Sequence, residues 1–279
     1  MKNVNQTENA EYDMAKQIHG QFDWSAYETD KSRLYLKNYE EHFQHFRERE
    51  IKLLELGIYK GGSLFLWRDY FPRGTIVGLD RNPCQIKDPT GRIVVCKGFQ
   101  QDTSLLDRIR QEAAPDGFDI IIDDASHLGE LTRVSFWHLF ENHLKDGGLY
   151  VIEDWRTGYW NAWLDGNQYK SKFKQRGLRK WFFEKVISRE QGSILARQFE
   201  KLLYRKRFHS HCYGMVGVIK ELVDELGVDA ITNPARNGLA TQRFPKFKEM
   251  EITPGQVFVI KRTRKDDELV AEQVKNSSH

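Results

Sequence analysis

The sequence predicts an α/β fold with a mostly parallel sheet, and three observations lead to this prediction. Short apolar runs typical of buried strands alternate with segments whose apolar residues recur at helical spacing. The apolar run over 51–56 is followed by a glycine-bearing turn and a helix, an arrangement that brings backbone close to nucleotide-like ligands. Two predicted strands over 246–252 and 256–261 flank a Pro-Gly turn, which predicts a C-terminal antiparallel hairpin.

Length and composition argue against several classes of protein, among them disulfide-rich and membrane-spanning proteins. The 279 residues suit one large α/β domain with additions. The three cysteines include no C-x-x-C pair, which argues against a disulfide framework and a cysteine zinc site. The N-terminus lacks the apolar core of a signal peptide, and no apolar run approaches the roughly 20 residues that span a bilayer. We therefore expect a soluble, cytoplasmic protein.

Residues 1–50 are predicted to form an N-terminal helical lead-in. The first 25 are polar and weakly patterned, whereas apolar positions recur at helical spacing over 32–48. Core packing is the favoured interpretation of Tyr35 and Tyr39. The alternative is that this helix covers a ligand bound at the glycine turn.

The glycine turn is the first candidate ligand site. Gly57 lets the chain turn sharply and a ligand approach, and Glu55 places a carboxylate beside the gap. Ser63 is predicted to cap the helix over 64–71. The spacing of Gly57 and Gly61 matches neither the G-x-G-x-x-G motif nor the P-loop motif. A strand-to-helix turn whose glycines serve only tight packing is the alternative.

Two further predicted strands also end in polar residues. The strand over 75–79 ends at Asp80, about 20 positions past the glycine turn, where a carboxylate can accept hydrogen bonds from a ribose diol. A turn or helix-cap aspartate is the alternative. The strand over 92–96 is followed by Gln101 and Asp102, which could contact an adenine edge. Asp102 could equally cap the next helix, over 104–113.

The fourth and fifth strands are predicted over 118–122 and 149–152, with a helix over 131–143 and an Asp-Gly-Gly turn between them. Asp123, Asp124 and His127 follow the fourth strand, and Glu153 and Asp154 follow the fifth. Facing carboxylates repel unless a cation lies between them, and an all-oxygen set suits Mg²⁺ or another hard divalent ion. His127 is either a neighbour of the metal or a general base. The alternative is that the carboxylates cap helices and His127 is solvated.

A basic, aromatic helical insert is predicted at about 155–207, over the strand ends. It contains fourteen Lys and Arg against four Asp and Glu. A solvated basic face over an aromatic core is one interpretation, and recognition of an anionic or sugar-bearing acceptor is the other. No nucleic-acid-binding motif is present in the sequence. A helix over 213–226 follows, and residues 263–279 are predicted to be a disordered tail.

Several of these motifs together carry a resemblance to a known family. They are Thr29-Asp30-Lys31, Glu55-Leu56-Gly57 with Gly61-Gly62-Ser63-Leu64 and Trp67, Phe71-Pro72-Arg73-Gly74, Asp123-Asp124 with Ser126-His127, and Glu153-Asp154. The chain resembles the class I S-adenosylmethionine-dependent methyltransferases, in particular the metal-dependent macrolide-sugar and rhamnosyl O-methyltransferases. The resemblance implies a Rossmann-like, seven-stranded methyltransferase domain over 51–262.

The same resemblance implies roles for the candidate residues. S-adenosylmethionine would lie across the strand ends, with Gly57 and Gly61 at its amino-acid part, Asp80 at the ribose, and Gln101 and Asp102 near adenine. Glu55, Ser63 and Asp123 complete the expected cofactor site.

Asp124, Glu153 and Asp154 would bind Mg²⁺, and His127 would act as general base on a hydroxyl-bearing small molecule, anionic or glycosylated. The sequence determines neither the acceptor nor the oligomeric state. A nucleotide-binding oxidoreductase and a catalytically silent binding module are the alternatives, and Glu55 with the glycine spacing argues against the first. The intact acidic pairs and His127 argue against the second.

Overall fold

The structure is a computed structural model that describes residues 22–160, 162–168, 211–231 and 243–268. Its seven strands are β1 (Lys52–Leu56), β2 (Thr75–Asp80), β3 (Ile93–Lys97), β4 (Phe118–Asp123), β5 (Leu144–Glu153), β6 (Phe247–Ile252) and β7 (Gln256–Lys261). The described α-helices are α1 (Arg33–Phe43), α2 (Gly62–Tyr70), α3 (Thr103–Ala113), α4 (Gly129–Asn142), α5 (Leu164–Gln168), α6 (Gly214–Leu226) and α7 (Val228–Ile231).

The strands form one sheet in the order β3-β2-β1-β4-β5-β7-β6. Neighbours from β3 to β5 pair in parallel, whereas β7 pairs antiparallel with both β5 and β6. This topology confirms the predicted fold class, including the C-terminal hairpin. The chain order reverses beside β1, so the carboxyl ends of β1 and β4 open onto a crevice where α/β proteins bind ligands.

Helices cover both faces of the sheet, which explains why its central strands are almost continuously apolar. Every residue of β4 is buried. On one face, α1 and α2 pack Tyr39, Phe43 and Trp67 over the sheet. On the other, α3, α4 and α6 contribute the core that contains Leu106 and Phe136. Burial from two sides holds the strand ends, and therefore the site, in a rigid frame.

The observed β5 is longer than predicted. The Asp-Gly-Gly segment was expected to be a turn before the strand, but β5 already begins at Leu144, which pairs with Phe118. Pairing then shifts and resumes at Leu149 opposite Ile120, so the intervening residues form an irregularity within the strand. Gly147 has φ of 73°, a conformation that glycine adopts without strain.

The predicted disordered tail differs in part from the structure, and the predicted insert lies largely outside the described residues. The prediction of a disordered tail from residue 263 is wrong for residues 264–268, which are helical. Thr263 and Asp266 form a reciprocal capping pair, in which the Asp266 carboxylate accepts from the Thr263 N–H and the Thr263 hydroxyl accepts from the Asp266 N–H. Most of the predicted insert lies outside the described residues, which include only its 3₁₀ turn Trp155–Tyr159 and α5.

Within the described part of the chain, no helix has the length and apolar character needed to cross a membrane. The three cysteines Cys84, Cys96 and Cys212 are free thiols.

Candidate active site

A cavity of about 800 Å³ lies at the carboxyl ends of the central strands. The predicted site residues that line it are Gly57, Ser63, Asp80, Gln101, Asp124, His127 and Asp154. Since they come from strand ends spread over about a hundred residues of sequence, the parallel sheet is what gathers them. The exposed Tyr59 and Phe99, for which no role was predicted, lie in the same wall.

The turn after β1 is shaped by backbone packing. Gly57 has φ of 83°, and a Cβ there would lie 2.2 Å from the backbone oxygen of Asp124. Its N–H donates to the Leu79 carbonyl at 2.7 Å, which ties β1 to β2. Gly57 is therefore required by the chain itself, in addition to bordering the cavity. Gly61, predicted to face the cofactor, instead lies against Ile86, with φ of 79°.

The predicted helix cap at Ser63 is wrong. The cap position of α2 is Gly61, in the left-handed conformation, and Ser63 lies inside the first helical turn. Its hydroxyl donates to Glu55 Oε2 at 2.8 Å. Ser63 thus borders the cavity while holding a buried carboxylate in place.

Asp80 ends β2 with its carboxylate at the cavity wall. One oxygen accepts from the Ile58 N–H at 3.1 Å and the other from the Asn82 N–H at 2.7 Å. These bonds anchor the carboxylate to both loops that border the cavity. A carboxylate oxygen has a second lone pair, so each can still accept a bond from a ligand hydroxyl.

Lys31 belongs to one of the motifs quoted from the sequence, but no role was predicted for it. It lies just before α1, and its side chain is 1% exposed. Its ammonium donates to Asp124 Oδ2 at 2.8 Å and Glu153 Oε1 at 2.7 Å, and lies 3.3 Å from Glu55 Oε1. One buried cation therefore holds three carboxylates from three different strand ends.

The contacts of Lys31 change the interpretation of Glu55 and Glu153. Both carboxylates are buried and directed at the lysine, and neither lines the large cavity. Glu153 also accepts a hydrogen bond from the Tyr39 hydroxyl. Burial raises the pKa of both carboxyl groups, and Lys31 offsets part of that rise. Lys31 is the charged partner of both side chains in the structure, and the predicted contacts of Glu55 with the cofactor and of Glu153 with a metal stay predictions.

Asp124, His127 and Asp154 form the polar end of the cavity. The His127 Nε2 atom lies 3.8 Å from Asp124 Oδ1 and 3.8 Å from Asp154 Oδ2. One donor atom from each residue lies within 4.8 Å of the others. His127 and Asp154 have φ of 51° and 54°, a left-handed conformation that non-glycine residues adopt at a cost. The Thr157 hydroxyl donates to both of their carbonyls and holds the two loops together.

These residues fit a divalent cation. Four carboxylates, those of Glu55, Asp124, Glu153 and Asp154, meet at this end, whereas Lys31 contributes one positive charge. Asp124 and Asp154 are the two of these carboxylates that line the large cavity, and each has one oxygen 3.8 Å from His127 Nε2. Two carboxylate oxygens and an imidazole nitrogen are donors that hard or borderline divalent ions accept.

Helix α1 contributes to the site as well as to the core. Tyr39 is fully buried, as core packing predicts, and its hydroxyl reaches Glu153. The Tyr35 hydroxyl donates to Asp154 Oδ1 at 2.6 Å. The inner face of this helix packs in the core, as one interpretation of the sequence predicted, and its N-terminal end borders the polar site; that it covers a ligand at the glycine turn stays a prediction.

Asp123 and Asp102 have structural contacts and do not line the cavity. Asp102 caps α3 by accepting from the Leu105 N–H at 3.0 Å. Asp123 is buried and accepts from the Gln100 amide at 3.1 Å and the Ser135 hydroxyl at 2.9 Å. Gln100 in turn accepts from the Ser126 N–H at 3.0 Å, which positions the loop before His127. Burial raises the pKa of Asp123 to about 6.

We expect Asp123→Asn to destabilise the protein by about 1.5–3 kcal/mol, the range for hydrogen bonds to a buried charged group. The new amide would oppose the Gln100 amide, because both would present donors. Urea unfolding measures the change, and Asp116→Asn at an exposed turn position is the matched control. Unchanged stability combined with weaker S-adenosylhomocysteine binding would instead place Asp123 at the cofactor.

A second cavity of about 260 Å³ adjoins the first and shares Asp30, Asp124 and Asp154 with it. It is also lined by Arg156 and Trp160, the first residues of the predicted basic, aromatic insert. The Trp160 side chain is half exposed. The two cavities therefore meet at the same carboxylates.

Comparisons with known proteins find O-methyltransferases among the chains similar in sequence. The chain is 45% identical over 130 residues to mycinamicin VI 2''-O-methyltransferase from Micromonospora griseorubida, covering 44% of this chain and 32% of that protein. It is 38% identical over 165 residues to demethylmacrocin O-methyltransferase from Streptomyces fradiae, covering 55% and 40%. No family model matches the chain.

A solved structure of the mycinamicin methyltransferase MycE, in complex with Mg, S-adenosylhomocysteine (SAH) and mycinamicin VI, is similar in fold. It aligns with a TM-score of 0.54 and 28% identity, over 83% of this chain and 51% of MycE. The fold is thus a class I methyltransferase fold, and the resemblance to sugar O-methyltransferases is confirmed. The chain spans only about a third to a half of the length of these relatives.

Proposed function

We propose that this protein is a methyltransferase that transfers the methyl group of S-adenosylmethionine to a hydroxyl of a sugar-containing small molecule, with Mg²⁺ as metal cofactor. One observation carries the proposal. A single cavity joins Gly57 and Asp80, at the strand ends suited to a nucleoside, to the Asp124, His127 and Asp154 group. The names of the similar proteins support this chemistry.

The donor end of the cavity has the groups that a nucleoside needs. Asp80 offers anchored carboxylate oxygens to a ribose diol. Gln101 offers an amide to a base edge, and Phe99, which is 57% exposed, offers an aromatic face beside it. S-adenosylmethionine would supply an activated methyl group bound to a sulfonium.

The acceptor end has the groups that hold a cation and move a proton. Asp124 and Asp154 would hold Mg²⁺, with Glu153 behind them as part of the Lys31 cluster. The ion would lower the pKa of an acceptor hydroxyl. His127, which lies between the two carboxylates, would remove the hydroxyl proton at Nε2. Trp163, with its ring centroid 5.7 Å from that of His127, limits access of water to the imidazole.

The smaller cavity is the proposed place for the acceptor sugar. It meets the donor cavity at Asp124 and Asp154, so a hydroxyl there would face the methyl donor. The Trp160 ring suits the apolar face of a sugar, and Arg156 can donate to its hydroxyls or to an anionic group. A glycosylated acceptor therefore fits this end better than a flat aromatic one.

Methyl transfer tests the proposal. The full chain is incubated with labelled S-adenosylmethionine, Mg²⁺, and either a glycosylated macrolide such as mycinamicin VI or its sugar-free aglycone. We expect label transfer only to the glycosylated compound, with loss of transfer after exhaustive chelation and recovery on adding Mg²⁺. Binding of NADH but not of S-adenosylhomocysteine would refute the proposal, as would full activity after chelation.

We expect Asp80→Ala to weaken S-adenosylhomocysteine binding by about 1.5–3 kcal/mol, because the ribose diol loses a charge-assisted acceptor. The alanine also leaves the Ile58 and Asn82 N–H groups without their acceptor, so Asp80→Asn, which keeps one oxygen, is the paired variant. Titration calorimetry measures both affinities. Unchanged affinity in both folded variants would remove Asp80 from the cofactor site.

A further inference from the structure

A second group of metal-binding side chains lies far from the candidate active site. Asp107 is in α3, His138 is in α4, and His143 directly follows α4. The His143 carbonyl accepts from the N–H of Phe118, at the opposite end of β4 from Asp124. At about 3.3 Å per residue, the length of β4 puts the two sites about 20 Å apart.

The three side chains converge on one point. Asp107 Oδ1 lies 2.8 Å from His138 Nε2 and 2.8 Å from His143 Nε2. The two imidazole nitrogens lie 3.1 Å from each other. The two imidazole rings are nearly perpendicular, at 74°. Both rings direct their Nε2 atom to the same oxygen of Asp107.

We propose that Asp107, His138 and His143 form a binding site for a divalent transition-metal ion, with zinc as the preferred ion. Two imidazoles and one carboxylate are a known kind of protein zinc ligand set, usually with a fourth position open to water. The Asp107 side chain is 45% exposed, so the fourth position can be reached from solvent.

The separations of the three atoms agree with a metal-ligand set. Zinc bonds to nitrogen and oxygen are about 2.0–2.1 Å, which places tetrahedral ligands about 3.3 Å apart. The observed separations of 2.8, 2.8 and 3.1 Å are shorter by only a few tenths of an ångström. Small side-chain movements are therefore enough to admit the ion.

A purely hydrogen-bonded cluster accounts for the arrangement less well. If both imidazoles donate to the one Asp107 oxygen, two N–H groups that repel each other lie side by side. Within the described residues, His143 Nδ1 has no hydrogen-bond partner, so only the shared Asp107 oxygen acts on the tautomer of this ring.

The backbone places these ligands before any metal arrives. The His143 N–H donates to the Leu139 carbonyl at 2.9 Å, and its own carbonyl is bonded to β4 at 2.8 Å. The His143 side chain is 6% exposed and has little room to turn away. A bound ion would therefore fasten α3 to the end of α4 without remodelling the fold.

The donor types distinguish this site from the candidate active site. Imidazole nitrogens favour zinc, nickel or copper, whereas carboxylate oxygens favour magnesium. The distal site has two imidazoles and one carboxylate, and the active-site group has two carboxylates and one imidazole. Excess Mg²⁺ therefore competes with zinc mainly at the active-site group, and the Asp154→Asn variant reports any zinc bound there.

Zinc binding to the full chain tests the proposal. The protein is prepared without an affinity tag, because histidine tags bind the same metals. ZnCl₂ is then titrated into it calorimetrically in excess Mg²⁺. We expect wild type to bind zinc, and His138→Gln to lower the affinity at least about 100-fold, since even outer-shell partners are worth 10–100-fold. Asp107→Asn is the second variant in case the first does not fold.

Two control variants localise the signal. His42→Gln removes an imidazole that lies 3.2 Å from the Glu251 carboxylate with no second histidine in the pair, and Asp154→Asn alters the active-site group. Both should keep the wild-type zinc affinity. Absence of zinc binding in wild type would overturn the proposal, as would wild-type affinity in folded His138→Gln and Asp107→Asn. Extended X-ray absorption should show two imidazoles on the bound zinc, and a spectrum without them would also overturn it.

Discussion

Replacing Lys31 by methionine should lower the free energy of unfolding by about 3–5 kcal/mol, the usual cost of removing one partner from a buried ion pair. Methionine has nearly the length of lysine but no charge. Its introduction leaves Glu55, Asp124 and Glu153 facing one another without the ammonium that now lies within 2.7–3.3 Å of each. Urea unfolding at neutral pH measures the loss. The matched control is Lys37→Met, at an exposed position of α1.

The loss should depend on pH in a defined direction. Burial raises the pKa of Glu55 and Glu153, so in the folded variant they take up protons at a higher pH than in the unfolded chain. A group whose pKa is raised on folding makes the folded state relatively more stable as pH falls towards its unfolded value. Destabilisation by Lys31→Met should therefore shrink between neutral pH and about pH 5. A loss that is the same at both values would show that packing of the side chain, and not its charge, matters.

Replacing His127 should lower kcat by ~10²–10⁴, the span for loss of a general base, with little change in binding of S-adenosylmethionine or Mg²⁺. A sugar hydroxyl is a poor nucleophile at neutral pH, so its proton must leave as the methyl group moves. Histidine is the usual side-chain base at neutral pH, and the Nε2 atom of His127 lies between Asp124 and Asp154. The rising limb of the pH–rate profile should flatten in the variant.

Because the backbone of His127 is left-handed, two variants are needed to separate the loss of the imidazole from strain in the backbone. Alanine at φ of 51° is strained, whereas asparagine tolerates this conformation and cannot act as a base at neutral pH. Equal losses of kcat in His127→Ala and His127→Asn would assign the effect to the missing imidazole. If only the alanine variant is impaired, the backbone conformation is what matters. If Mg²⁺ affinity falls as far as kcat, His127 is a metal ligand.

The sequence alone was enough to predict most strands of the sheet and the position of the candidate site. The apolar runs located the central strands, because a strand buried on both faces must be apolar along its length, whereas the mostly exposed β6 was predicted as one arm of the hairpin around the Pro-Gly turn. The polar residues after those strands located the site, because parallel strands end at one edge of the sheet. Gly57, Asp80, Gln101, Asp124, His127 and Asp154 were predicted in this way, and all line the main cavity.

Only the tertiary structure decided which of the remaining polar residues face that cavity. Side-chain direction at a strand end depends on the local turn, so Glu55, Asp123 and Glu153 are buried, whereas Asp124 and Asp154 line the main cavity. Lys31 precedes a helix like many solvated lysines, and its two hydrogen-bonded carboxylates lie 93 and 122 residues away in sequence. Asp107, His138 and His143 likewise meet through the packing of α3 on α4. Contacts of this range depend on where the fold places each helix, which no local spacing in the sequence encodes.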